Sequence, residues 1–290
     1  MKNENYTDYL KSKGLSSSTI ESYGVMTGRF LSWLKKQDMK PEQVRYADVL
    51  AYMKSCQHRG IEQRTMQQYI GSVKTFYDHL VDQHKVKTNP VLNIKVQGVK
   101  RKTLHHILEP HELHAIYNNY EGKTLSGRKN KVIIGMLVYQ GLKTEELDRL
   151  ETKDVKLKEG KIEIPGGRKH NARTLQLEPH QVMDVYDYVM QVRPKILEKT
   201  KKQTEKFFVS LAEGDKFRPD YLMSQIKSQN PKVESFNQLR ASVIVKWLRQ
   251  YNLREVQYLA GHRYISSTEA YQQNEMQGLT EEVNLYHPLG

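Results

Sequence analysis

Apolar residues recur every three or four positions through the first eighty residues, and this helical period constrains the fold more than any other feature. In SSSTIESYGVMTGRFLSWLKKQ the apolar residues form one face, and Glu21 with the preceding serines predicts a capping box. The segments YTDYLKSKG, YADVLAYMKSCQHRG and EQRTMQQYIGSVKTFYDHLVDQH repeat the helical pattern. The sequence therefore predicts a bundle of four helices over residues 1–85. Its basic, Gln- and Tyr-bearing surface suits a clamp on a duplex, and a purely structural bundle fits equally well.

The helical period breaks in KVKTNPVLNIKVQGVKRKTL, residues 85–104, which contains Asn-Pro, a Gly and six Lys/Arg without an acidic residue. This composition is typical of an interdomain linker, and we place that linker at residues 86–104. Its charge would let it lie along DNA. An exposed flexible strap is an equally good interpretation.

A second unit, residues 105–290, is predicted to be mostly helical with one small sheet. EPHE is a plausible helix start, and NKVIIGMLVYQGL is apolar nearly all round, which indicates a buried helix stopped at Gly141. KIEIPGGRKHNARTLQLEP alternates apolar and polar residues on both sides of a Gly-Gly turn, as a β-hairpin does. The predicted fold class is mainly α with a small antiparallel β-sheet.

The charge of the chain restricts its partners. The formal net charge is +13, with 16 Lys/Arg against 9 Asp/Glu in residues 1–100 and 30 against 24 in residues 101–290. Both parts are therefore basic, as expected if both touch one long polyanion, and nucleic acid is the commonest such partner. A basic surface that only keeps the protein soluble explains the charge about as well.

Other sequence features exclude several classes of protein. The single cysteine, Cys56, excludes an internal disulfide and a multi-Cys metal site. No apolar run approaches the roughly 20 residues that cross a bilayer, and the N-terminus lacks the apolar stretch of a secretory signal. We therefore expect no membrane partner and a cytoplasmic location, associated with the nucleoid in a prokaryote.

The stretch FNQLRASVIVKWLRQYNLREVQYLAGHRYISSTEAY contains the sharpest group of reactive residues. Arg240 lies on one predicted helix, His262 follows the next helix after Gly261, and Tyr271 lies on the segment after that. A phenol has a pKa of about 10 and is a poor nucleophile unless cations or a proton acceptor assist it. Arg240 can bind two phosphate oxygens, and His262 can donate a hydrogen bond or move a proton. The alternative is that Tyr271 is a core or surface aromatic.

These residues give the sequence a resemblance to the tyrosine recombinase, or phage integrase, family over nearly its whole length. LREVQYLAGHRYISSTEAY is similar to the family's terminal pattern of Gly-His, Ser/Thr residues and the nucleophilic Tyr. NQLRAS resembles the His-x-x-Arg box, GLKTEELDRLETKDV the box that opens with the first catalytic Arg, and IPGGRKHNARTLQLEP the hairpin that carries a catalytic Lys. The resemblance implies an N-terminal SAM-like core-binding bundle and an α+β catalytic domain.

The resemblance also implies roles for individual residues. Tyr271 would be the nucleophile, Arg240 the second arginine and His262 the histidine of the third box. Lys169 or Arg168 would be the hairpin acid that protonates the departing 5′ oxygen, and the register of the Gly-rich turn leaves that choice open.

Two residues depart from the family pattern. Lys143 stands where the first Arg is expected, so the charge is kept but the planar two-pronged donor is lost. Asn237 stands where the family commonly has His, and an amide donates a hydrogen bond but does not titrate near neutrality. Glu146 falls where the family often has an acid that braces the first arginine. These departures fit a slow or specialised recombinase and also an inactive one.

The function implied by the resemblance is site-specific DNA recombination for a mobile genetic element. Tyr271 would attack double-stranded DNA, hold a 3′-phosphotyrosyl bond and free a 5′ hydroxyl, so that neither ATP nor a metal cofactor is needed. The family pattern also implies a homodimer or tetramer on DNA, with GLTEEVNLYHPLG docking on a neighbour or on its own domain. The main alternative is an inactive, recombinase-fold DNA-binding or regulatory protein. An unrelated helix-turn-helix regulator would leave the N-terminal bundle and the Tyr spacing unexplained.

Overall fold

The structure is a computed structural model that describes residues 4–99, 106–167, 170–211 and 220–273. Its internal contacts divide the chain into two compact units, Met1–Lys102 and Thr103–Gly290. Helices dominate both units, and a small antiparallel sheet belongs to the second, which confirms the predicted fold class. None of the described helices is both long enough and apolar enough to span a bilayer.

The N-terminal unit contains the four predicted helices. They are α1 (Glu4–Ser12), α2 (Ser17–Lys36), α3 (Tyr46–His58) and α4 (Gln63–Asp82). Their apolar faces meet in one core, in which Phe30, Tyr52, Met66 and Tyr77 are fully or almost fully buried. The single cysteine, Cys56, is not in a disulfide and is buried in that core.

Helix α2 begins earlier than the capping-box prediction required. The N-cap is Ser16, whose hydroxyl accepts a hydrogen bond from the backbone N–H of Thr19. Thr19 therefore occupies the position at which a capping-box Glu would stand, and Glu21 lies beyond it. The prediction of a box closed by Glu21 is wrong, because a serine upstream of the expected cap satisfies the first turn.

The chain after α4 has no regular secondary structure, but part of it packs on the N-terminal core. Val91 is fully buried, and Val86, Ile94 and Val96 pack against the same apolar cluster. The side chain of Asn89 fixes this path, since its amide donates to the Lys74 carbonyl at 2.9 Å while its oxygen accepts the Val91 N–H at 2.8 Å. Residues 86–96, the first part of the predicted linker, therefore pack on the N-terminal unit.

Within the described residues, the second unit contains eight numbered helices, a further helical segment and three short strands. The helices are α5 (Pro110–Asn118), α6 (Leu125–Val138), α7 (Thr144–Arg149), α8 (Pro179–Asp187), α9 (Arg193–Thr200), α10 (Asp220–Gln229), α11 (Phe236–Leu248) and α12 (Leu253–Ala260). Residues 266–273 are also helical. The strands are β1 (Val155–Lys156), β2 (Lys161–Ile164) and β3 (Arg173–Gln176), in the order β1-β2-β3.

The predicted hairpin is the β2–β3 pair. Ile162 lies opposite Leu175 and Ile164 lies opposite Arg173, and all four of these side chains are buried. Because side chains alternate along a strand, the face that buries Ile162 and Ile164 also buries Arg173. Strand β3 thus places the positive charge of Arg173 in the interior of the second unit.

The buried helix α6 ends sooner than predicted. Its last residue is Val138 rather than a residue beside Gly141, and the chain then turns through Gly141, whose φ is +57°. A left-handed conformation favours glycine because a Cβ would clash with the backbone. This turn brings Lys143 to the N-cap of α7.

Candidate active site

Arg240 lies in the middle of α11 and is 4% exposed. Its guanidinium donates to two backbone carbonyls, that of Gly141 at 2.5 Å and that of Ala260 at 2.6 Å. These carbonyls belong to the turn before α7 and to the end of α12. Burial lowers the pKa of Arg240, but arginine stays protonated in proteins, so a fixed positive charge results.

His262 follows the left-handed residue Gly261 at the end of α12. Its Nδ1 lies 2.9 Å from the hydroxyl of Thr268, and the pair is buried. Burial lowers the pKa of His262 to about 4, and the positive charges of Arg240 and Lys143 act in the same direction. The imidazole is therefore neutral near pH 7, with one nitrogen able to donate and the other able to accept a proton.

Tyr271 lies on the helical segment 266–273, one side of which packs against the core. Its ring stacks on that of His262, with centroids 5.8 Å apart and planes 15° from parallel. The residue is only partly buried, and it also lines the cavity described below. The two interpretations of Tyr271 are therefore not exclusive, because one side of the residue packs and it still reaches the cavity.

Lys143 and Glu146 form the first turn of α7. The carboxylate of Glu146 accepts the backbone N–H of Lys143 at 2.9 Å, and the fork of Arg173 donates to both carboxylate oxygens at 2.8 and 3.0 Å. Burial would raise the pKa of Glu146, but the bonds from Arg173 and the charge of Arg240 outweigh it and lower the pKa to about 2. Burial and the charge of Arg240 lower the pKa of Lys143.

A cavity of about 370 Å³ connects these side chains. Five predicted site residues and three others line it: Lys143, Asn237, Arg240, His262, Arg263, Tyr264, Ser267 and Tyr271. Asn237 is an exposed residue in the first turn of α11, three positions before Arg240. Three cations, Lys143, Arg240 and Arg263, and a neutral imidazole around a phenol are suited to bind a phosphodiester and to transfer its phosphorus to oxygen.

Glu146 does not line the cavity. Its carboxylate accepts hydrogen bonds from the Lys143 backbone N–H and from the Arg173 side chain, and so supports the cavity lining indirectly. The sequence interpretation missed Arg173. Its signal is the strand alternation, which places an arginine at an inward position in line with Leu175 and Leu177. Arg263 and Tyr264, which directly follow the Gly-His pair, were also missed.

The two candidates for the hairpin acid, Arg168 and Lys169, lie outside the described residues. Their neighbours Gly167 and His170 pair with each other, the Gly167 N–H donating to the His170 carbonyl at 2.9 Å. His170 also pairs with His262 as an isolated antiparallel bridge. Among residues that the structure describes, no group of three or more His, Cys, Asp or Glu side chains is arranged to hold a metal ion.

Family models match both units of the chain. The phage integrase family matches residues 106–278, and the phage integrase N-terminal SAM-like domain matches residues 3–85. The chain belongs to the phage integrase family. The prediction of a tyrosine recombinase with two such domains in its fold is thereby confirmed.

Relatives of this phage integrase family member match along most of their length. The tyrosine recombinase XerC of Anoxybacillus flavithermus is 24% identical over 286 residues, which cover 93% of this chain and 94% of the relative. Among solved structures, the XerH site-specific recombinase in a post-cleavage complex with its palindromic difH substrate has a TM-score of 0.71 and 17% identity, covering 92% of this chain and 79% of XerH. A lambda integrase dimer bound to a COC′ core site has a TM-score of 0.66 and 13% identity, covering 94% and 76%.

Proposed function

We propose that this site-specific DNA recombinase cleaves and rejoins double-stranded DNA through Tyr271. The observation that carries the proposal is the stacking of the Tyr271 ring on a neutral His262 in a cavity that Arg240 and Lys143 also line. If Tyr271 were only a surface aromatic, a stacked imidazole and neighbouring cations would not be required.

In the cleavage step, the Tyr271 oxygen forms a bond to phosphorus while the bond from phosphorus to the 5′ oxygen breaks. The phenol loses its proton to an acceptor, and the departing 5′ oxygen gains one. A neutral His262 is able to accept a proton or to donate a hydrogen bond to the phosphate, whereas an imidazolium could only donate. Lys169 or Arg168 remains our candidate for the group that protonates the 5′ oxygen.

Arg240 and Lys143 would stabilise the charge that develops on the phosphate oxygens. Arg240 is held by two carbonyls, so its remaining donors face a bound phosphate without reorganisation. Lys143 supplies a point charge where a fork is usual, and Asn237 supplies an amide donor where a histidine is usual. We expect slower cleavage than a site with both usual residues would support.

The rejoining step reverses the chemistry. The 5′ hydroxyl of a partner strand attacks the 3′-phosphotyrosyl link, a new phosphodiester forms, and the Tyr271 oxygen takes back a proton. One phosphoester is exchanged for another in each step, so the chemistry itself does not call for ATP. Strand exchange needs more than one active site, and the lambda integrase dimer on DNA supports a dimer or tetramer of this chain.

The natural substrate is proposed to be the ends of a mobile genetic element. The family description, phage integrase, supports this choice. DNA as substrate favours the cytoplasm, and in a prokaryote the nucleoid, as the place of action.

The test is covalent trapping on a suicide substrate. DNA from the ends of the natural element is nicked near the crossover point, incubated with the protein and resolved on a denaturing gel. The wild type should form a protein-DNA adduct that Tyr271→Phe does not form. Tyr264 lines the same cavity, so an adduct that persists in Tyr271→Phe and disappears in Tyr264→Phe would make Tyr264 the nucleophile and contradict the proposal.

The same gel separates the proposal from the binding-only alternative. A wild type that shifts this DNA on a native gel but forms no adduct would favour an inactive, DNA-binding protein. The double variant Lys143→Arg/Asn237→His would then be tested, because it restores the fork and the titratable ring that the family pattern contains.

A further inference from the structure

Three buried charged side chains lie next to one another, and one of the three, Arg240, lines the cavity. Glu146, Arg173 and Arg240 are each no more than 4% exposed. Arg173 holds both oxygens of Glu146, at 2.8 and 3.0 Å, while the Nη1 of Arg240 lies 3.9 Å from the Oε2 of the same carboxylate. One anion is thus shared unequally between two arginines.

This unequal sharing determines which of the two arginines is available to bind a substrate. A carboxylate and a phosphate compete for the same donors of a guanidinium, since each presents two acceptor oxygens that an arginine can bind together. Arg173 does not line the cavity, but Arg240 does. With the carboxylate committed to Arg173, the charge of Arg240 stays directed to the cavity.

We propose that Arg173 is a positioning residue that binds the Glu146 carboxylate and thereby leaves the Arg240 guanidinium available to the phosphate under attack. The inference deepens the proposed cleavage by Tyr271 and rests on it. Arg173 is not a catalytic residue, because it acts through Glu146 and does not reach the reacting atoms.

The chain holds Arg173 rigidly enough for this role. The residues on either side of it bond to the end of α12: the Asn171 N–H donates to the Gly261 carbonyl at 3.1 Å, and the Thr174 N–H donates to the Tyr258 hydroxyl at 3.0 Å. A Cβ on Gly261 would lie 2.5 Å from Nη1 of Arg173, so the guanidinium packs directly under that glycine. The same strand therefore fixes Arg173 and the turn that carries His262.

The role also fits the charge of the site. Pairing between Arg173 and Glu146 cancels one positive and one negative charge, so Arg240 and Lys143 face a phosphodiester as a net positive pair. If Glu146 paired with Arg240 instead, one of the three cations that line the cavity would be neutralised before DNA arrived. The site would then bind the transition state less tightly, because the phosphate gains negative charge there.

The experiment compares the adduct-forming rate of four proteins on the suicide substrate: wild type, Arg173→Gln, Glu146→Gln and the double variant. Arg173→Gln leaves a buried carboxylate whose nearest described cation is Arg240, so the rate should fall by about 100-fold, as small misplacements in active sites do. Removing that carboxylate in Arg173→Gln/Glu146→Gln should raise the rate about tenfold above Arg173→Gln, because the two residues are coupled.

Rescue by the second substitution is the outcome that a merely structural role would not give. If Arg173 only holds the fold together, the double variant should be as slow as Arg173→Gln or slower, and this result would overturn the inference. Arg173→Lys guards against misfolding, since it keeps the charge but loses one prong, and its rate should lie between those of the wild type and Arg173→Gln. An Arg173→Lys rate equal to that of Arg173→Gln would contradict the role.

A structural measurement tests the inference independently of cleavage. In a crystal structure of Arg173→Gln, the 3.9 Å separation of Glu146 and Arg240 should shorten to a direct hydrogen bond of about 2.8 Å. A carboxylate that keeps its distance from Arg240 would overturn the inference. A wild type that forms no adduct, by contrast, would overturn the proposed function, and this distance would still decide the inference.

Discussion

His262 is held neutral by its surroundings, and this has a consequence for stability. Its pKa is lowered to about 4 by burial and by the charges of Arg240 and Lys143, whereas an unfolded chain titrates it near 6.5. As the pH falls from about 6.5 to 4, His262 binds a proton in the unfolded state but stays neutral in the folded state. Stability from this residue is therefore complete above pH 6.5 and is lost as the pH approaches 4.

The prediction compares the wild type with His262→Asn, which keeps a polar group but does not titrate. Between pH 7 and pH 4 the wild type should lose about 3 kcal/mol more of its unfolding free energy than the variant loses. Urea unfolding followed by circular dichroism at several pH values measures this difference. Parallel pH profiles for the two proteins would show that His262 is not held neutral.

At the residue scale, the sequence predicted much of the cavity lining but not its support. Arg240, His262 and Tyr271 could be found because each stands at a fixed place in a recurring pattern, and the structure brings all three to one cavity. Their catalytic roles stay predictions. Strand alternation places Arg173 at an inward position, but its contact with Glu146, 27 positions away, is not encoded by that local pattern.

At the scale of elements, the end of α12 and strand β3 are held together by direct contacts. Gly261 takes a φ of +64°, and Arg173 packs under it. Gly160, which ends the short turn Leu157–Glu159, takes almost the same φ of +62°, but a Cβ there would meet nothing closer than Val182 at 4.0 Å. The two glycines share a backbone conformation and differ in their surroundings.

This contrast predicts different effects of the same substitution. Gly160→Ala should cost only the left-handed strain of a non-glycine residue, about 1 kcal/mol, and should leave adduct formation unchanged. Gly261→Ala should cost about 3 kcal/mol, because the new methyl group also displaces a buried ion pair, and it should slow adduct formation strongly. Urea unfolding and the suicide-substrate assay measure both effects. Equal losses at the two positions would show that the contact with Arg173 is unimportant.

The helices were more predictable than their ends. Four N-terminal helices and the β2–β3 hairpin follow from apolar periods, which report which face is buried. The start of α2 was missed because any of three successive serines, Ser16 to Ser18, can act as the N-cap. The end of α6 was missed because its last residue precedes Gly141 by three positions. Strand β1, with two residues, is too short to produce a period at all.

At the scale of the whole molecule, the net charge of +13 makes DNA binding depend on salt. Each phosphate that a Lys or Arg neutralises releases a counterion, so the logarithm of the affinity falls linearly with the logarithm of the salt concentration. The slope counts the phosphate contacts. It therefore distinguishes a lysine that lies along DNA from one that only faces solvent.

The salt slope is most informative for residues 86–96, because this segment packs on the N-terminal core and exposes Lys87 and Lys95. If this segment lies along DNA, Lys87→Gln/Lys95→Gln should reduce the salt slope by about 2 in a fluorescence-anisotropy titration. The control is Lys11→Gln/Lys123→Gln, which removes two lysines that are also exposed but already pair with Asp8 and Glu121. Its slope should stay that of the wild type. Identical slopes for the two double variants would make the segment an exposed strap that takes no part in binding. A selective loss in the first would place it on the backbone of the DNA.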